Sequence, residues 1–86
     1  DRGNVFFYFK MNKKSEVNIK IFDESGRNVR NLVSDIFEPG EYRVLWTGKS
    51  SSGRFKSAGN YFLLLEADGK RIFKKFVLIK EKNFHL

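Results

Sequence analysis

Four groups of residues in this chain have types and spacings that could do chemistry. Gly48-Lys49-Ser50 ends like a phosphate-binding P-loop, Ser50-Ser51-Ser52 offers three hydroxyls, Asp23-Glu24 offers paired carboxylates, and His85 is the single histidine. A P-loop needs a glycine five residues before Gly48, with a strand leading in and a helix leading out so that backbone amides cradle phosphate. Position 43 is Arg43, and Ser51-Ser52-Gly53 opens a loop. The motif therefore fails on spacing and on context. A nucleophilic serine needs a base beside it, and no His or Lys is placed in sequence to serve. Asp23-Glu24 stands in a turn, where Asp is favoured because it bonds its own backbone. His85 is one residue from the end of the sequence. A calcium cage needs several converging oxygens, and no run of acidic residues supplies them. The reading is a non-catalytic chain with no cofactor and no metal, and "WTGKSSSGRFKSAGNYF", Trp46 to Phe62, is a corner between strands.

The elements that hold these residues follow from composition and alternation. With 86 residues the chain makes one domain, 1–86, with one core. Apolar residues at 41% and ten Phe exceed what a disordered segment carries. The absence of Cys removes disulfides and thiolate metal sites and leaves the compartment open. No apolar run approaches the roughly 18 residues of a membrane span. The first residue is Asp1, so the chain reads as a piece of a longer protein or a processed one.

Period-two alternation marks strands. Val5, Phe7, Phe9 and Met11 alternate with Phe6, Tyr8 and Lys10; Val17, Ile19 and Ile21 alternate with Asn18, Lys20 and Phe22. Glu24-Ser25-Gly26 turns the chain into a third strand, where the odd spacing of Val29 and Leu32 predicts a bulge. A short extra strand near Ile36 is a further expectation. Pro39-Gly40 is a turn signal before Tyr42, Val44 and Trp46. Tyr61, Leu63 and Leu65 share a face of the next strand, and Asp68-Gly69 predicts a hairpin back along Ile72 to Lys80. Six to seven strands without helical periodicity make an all-β antiparallel sandwich, with an open barrel as the second packing solution.

The residues also match a family pattern from Val5 to Lys80. "VNIKIFDESGRNVRNL", Val17 to Leu32, carries an Asp-x-x-Gly-Arg turn on Asp23, Gly26 and Arg27. Gly40 leads to Trp46, followed by Gly48, Gly53, Gly59, Tyr61 and the closing "KKFVLIK". In this order and spacing the chain resembles the immunoglobulin-like domain of the flagellar hook-capping protein FlgD, a module also common at the C-terminal ends of secreted bacterial proteins. The C-terminal sorting domains of type IX secretion are related more loosely through the ending "GNYFLLLEADGKRIFKKFVLIK". Thr47 stands where the family usually has Asp, Asn12 where it usually has Pro, and Leu64 where it tends to carry a charge. The resemblance implies an Ig-like or fibronectin III-like fold, an extracellular or cell-surface location, and a structural, docking or sorting role. The implied partners are an upstream domain of the parent protein, the secretion or surface machinery, or a second copy.

Two features invite other readings. The net charge of +7 would suit nucleic acid, but Lys74 and Lys75 must point to opposite faces of one strand and cannot form a single phosphate-tracking stripe. Lysines on a terminal strand also discourage edge pairing. Exposed rings would suit carbohydrate, with Phe37 and Phe55 in loops and Phe22 and Phe62 opposite their strands' core side. Such a platform needs two or three coplanar rings on one surface. The ribbon from Tyr61 to Ile79 is apolar on both faces, and large bare apolar patches are uncommon on monomers. Phe62 and Leu64 on its second face are therefore the candidate docking surface.

Overall fold

A computed structural model describes residues 4–79. It contains strands β1 (Val5–Met11), β2 (Ser15–Asp23), β3 (Asn28–Phe37), β4 (Gly40–Trp46), β5 (Gly59–Ala67) and β6 (Lys70–Leu78), and no helix. The alternation read from the sequence becomes two antiparallel sheets. The small sheet is β1-β4, and the large sheet runs β3-β2-β5-β6. Its described portion is an all-β sandwich of the expected class.

The core lies where the inward rows of the two sheets meet. Val17, Ile19 and Ile21 from β2, Tyr61 and Leu63 from β5, and Leu78 from β6 pack with Met11 and Trp46 from the small sheet. Each fully buried aliphatic side chain contributes about 1.5–3 kcal/mol, so this one cluster carries the bulk of the fold's driving force. Phe7, Phe9, Tyr42 and Phe76 extend it as an aromatic layer, with Phe9 stacked on Tyr42 at 5.4 Å and Phe7 edge-on to Phe76 at 5.1 Å.

The bulge predicted on β3 is present twice. Ile19 faces Val33 but Lys20 faces Asn31, and Ile21 faces Arg30 but Phe22 faces Asn28. The residues skipped are Leu32 and Val29, the two whose spacing broke alternation. A bulge turns the extra residue toward the interior without reversing the rest of the strand; Val29 is buried and Leu32 packs against the core. Ile36 belongs to the same long strand, so the separate seventh strand expected there is absent: β3 simply continues opposite Glu16 and Ser15. Phe37, expected in a loop, ends β3 and packs edge-on to Phe9 and Tyr42.

Strand order follows the immunoglobulin plan, in which A, B, E and D form one sheet and C, F and G the other. Here β1 and β4 take the B and E places, and β2, β5 and β6 take the C, F and G places, with β3 added beyond β2. Among the described residues no strand fills the A and D places beside β1 and β4.

Candidate functional site

The corner from Trp46 to Gly59 is an ordered loop. Gly48 and Gly53 have φ of 82° and 83°, a region that residues with a Cβ enter at a cost. Between them Ser50 donates its N–H to the Arg54 carbonyl at 2.8 Å, and Gly53 donates to the Ser50 carbonyl at 2.9 Å. Lys56 N–H closes on the Gly48 carbonyl at 2.8 Å, and the Trp46 indole N–H donates to the Lys49 carbonyl at 2.8 Å. Ser51 N–H and Arg30 tie the loop to β3 through the carbonyls of Val29 and Ser50. The amides that a P-loop would turn toward phosphate are thus spent on the chain itself. Ser50 and Ser52 bond each other at 2.9 Å, and neither bonds a base.

Asp23 organises the β2–β3 turn in the same inward-looking way. One carboxylate oxygen accepts from Ser25 N–H at 3.0 Å, Ser25 Oγ at 2.7 Å and Arg27 N–H at 2.9 Å. The other accepts from Arg27 Nε at 3.1 Å. The Ser25 hydroxyl first, then the Arg27 N–H and the Arg27 charge, hold the carboxyl down to about 2. A group this strongly held ionised is a poor proton shuttle near neutral pH, and its four bonds fix a turn that Gly26 completes at φ 88°. Gly40 opens β4, and Gly59 opens β5. Tyr61 is buried, with its hydroxyl donating to the Ser57 carbonyl at 2.7 Å, the arrangement known as a tyrosine corner. All nine motif residues thus serve the turns, the strand starts or the core. His85 lies outside the described residues. Among the described residues no three His, Cys, Asp or Glu side chains group as metal ligands.

The outward face of the large sheet is the feature that the core does not use. Phe62 and Leu64 sit on it, with Leu64 opposite Lys20 on one side and Phe73 on the other. Leu64 is only 5% exposed, a correction to its reading as a surface residue. Its cross-strand and in-strand neighbours on the same face cover it: Phe73 lies 6.5 Å from Phe22 and 6.3 Å from Phe62, ring to ring. What this face presents instead is Phe73, 62% exposed, and Val77, 55% exposed, with Phe62 and Phe22 half-buried beside them. The sequence marks the ribbon from Tyr61 to Ile79 as apolar on both faces but does not single out Phe73 and Val77. The rings are not coplanar, since Phe22 and Phe73 tilt by 31° and Phe62 and Phe73 cross at 71°. Lys74 and Lys75 fall opposite Leu63 and Phe62, hence on opposite faces as alternation requires.

Comparison with known proteins gives a single kind of answer. No protein-family model matches the chain. No curated protein sequence matches it either. Among solved structures, the crystal structure of FlgD from P. aeruginosa superimposes with a TM-score of 0.63 at 23% identity, over 87% of this chain and 59% of that one. The chain therefore has a FlgD-like fold, and it spans well under two thirds of the FlgD chain it matches.

Proposed function

We propose that this chain is a non-catalytic docking module: a FlgD-like immunoglobulin sandwich that attaches a larger secreted or surface protein to a neighbouring protein through the outer face of its large sheet. One observation carries the reading. Phe22, Phe62 and Phe73 form an aromatic cluster beside Leu64 on the side of the sheet that faces away from the core, with Val77 exposed further along the same face of β6. An aromatic cluster interspersed with Lys20, Glu66 and Lys75 on one face fits protein contact, in which aromatic side chains are joined by charged neighbours. The FlgD-like fold supports a structural or accessory role in a larger assembly, and the inward hydrogen bonding of the Asp23 turn and the serine loop leaves neither of these two groups poised for catalysis. Type IX-type sorting and a place in a flagellar hook cap are narrower forms of the same reading. Carbohydrate binding is supported less, because the rings of the exposed cluster tilt and cross instead of forming one plane.

Phe73→Lys tests the proposal. The side chain is largely exposed, so the substitution should leave stability within about 1 kcal/mol while releasing the module from the assembly that carries it. Full retention of the variant would place the contact on another face.

A further inference from the structure

Lys75 stands among the apolar side chains of the outer face. It pairs with Phe62 across the β5–β6 ladder, and Phe73 and Val77, two positions away on either side along β6, point the same way. Lys75 is exposed. Among the described residues no carboxylate lies within ion-pair distance of its ammonium.

The other charges on this side of the sheet already have partners. Glu66 holds Lys20 at 3.9 Å and Arg71 at 3.2 Å. Glu16 accepts from the Asn18 amide at 3.2 Å, and Glu24, in the β2–β3 turn, accepts from the Asn60 amide at 3.2 Å. A surface that covers Phe73 reaches Lys75 as well. An ammonium taken out of water without a counter-charge is among the costliest groups to bury, so a wholly apolar partner would strand it. A carboxylate placed opposite converts that cost into a charge-assisted hydrogen bond. β6 is an edge strand, so the lysine has one other course, to bend over the edge into water.

We propose, resting on the docking reading above, that the partner is a different protein whose contact surface sets a carboxylate among apolar side chains, and that Lys75 selects it. Phe62, Phe73 and Val77 supply contact area; the ammonium between them supplies the discrimination, since charge pairs at an interface suppress wrong partners. A second copy of this chain is a poor occupant, because the acids on the same face are held by Lys20, Arg71, Asn18 and Asn60. An anionic membrane also fits less well: Glu16 and Glu66 share the face and would be repelled by it.

Two measurements on the protein in its assembly test this. Carbodiimide, which joins an ammonium to a carboxylate in contact with it, followed by mass spectrometry should show Lys75 linked to an Asp or Glu of another protein. Photo-cross-linking from benzoyl-phenylalanine at position 73 reads docking itself. Lys75→Met and Lys75→Glu should lower that adduct at least ~10-fold, and Lys75→Arg should retain it. All three variants should unfold in urea at the parent midpoint, because the position is exposed. An adduct that survives Lys75→Met unchanged, or no carbodiimide link at Lys75, would overturn the proposal and leave docking through Phe73 standing. A link only to Glu16, Glu24 or Glu66 of a second copy would overturn it in favour of self-association. Binding of the whole chain to phosphatidylglycerol vesicles that Lys75→Glu abolishes would overturn it in favour of a membrane. No adduct from position 73 in the parent would overturn the docking reading and this proposal together.

Discussion

Replacing Trp46 by alanine should cost about 4 kcal/mol, within the roughly 3–5 kcal/mol found for large aromatic truncations in cores. The indole is 1% exposed and sits edge-on to Tyr61 at 5.5 Å and Phe76 at 5.8 Å. Three strands from both sheets meet at this point, so the space cannot collapse without moving a sheet, which favours the upper part of the range. The indole hydrogen bond to Lys49 adds little, about 1 kcal/mol, because the loop carbonyl can turn to water. Trp46→Phe separates the two contributions: it keeps an aromatic ring between Tyr61 and Phe76 and should cost only about 1–2 kcal/mol. Urea unfolding followed by far-ultraviolet circular dichroism is the suitable assay, since both variants lack the only tryptophan. For a domain whose total stability is about 5–10 kcal/mol, the alanine variant should unfold at a much lower midpoint with an unchanged slope. A cost below about 1.5 kcal/mol, or equal losses in the two variants, would refute the packing role assigned to Trp46.

Leu64→Lys should destabilise by about 2 kcal/mol or more despite lying on the outward face, because the leucine is buried under its neighbours; the same urea titration reads it, and a neutral result would show that the aromatic cover is not closed. For Asp23, the folded-state carboxyl is depressed from 3.8 to about 2, so its stabilising effect is present in full above the unfolded value and is lost as pH falls through about 2. The stability difference between the parent chain and Asp23→Asn should accordingly be constant from neutral pH down to pH 5 and shrink between pH 4 and pH 2; a difference that persists at pH 2 would contradict the assignment.

Alternation exposed most of the fold because half-buried strands write their two faces into every second residue, as the alternating burial of β1 and the buried row Val17, Ile19 and Ile21 of β2 do. The failure of alternation at Val29 and Leu32 was equally informative, since both are bulged residues. Turn chemistry located the Asp68-Gly69 hairpin, whose φ values of 52° and 69° suit a tight two-residue turn. Strand length was less legible. Nothing local distinguishes Ile36 as the continuation of β3 from Ile36 as a new strand; its pairing with Glu16, 20 positions away, decides that. Burial on the second face of β5 was hidden for the same reason. Whether Leu64 is covered depends on Lys20 and Phe73 on flanking strands, and sequence order does not reveal which strands flank.

The central claim is that the outer face of the large sheet is where this module meets its partner. Site-specific photo-cross-linking measures it most directly, with a benzoyl-phenylalanine placed at Phe73 in the protein as it occurs in its assembly and, as a control, at Phe55, which is about as exposed but lies in the β4–β5 connection. The account predicts one discrete protein adduct from position 73, abolished by Val77→Lys on the same face, and none from position 55. An adduct from position 55 with nothing from position 73 would contradict it.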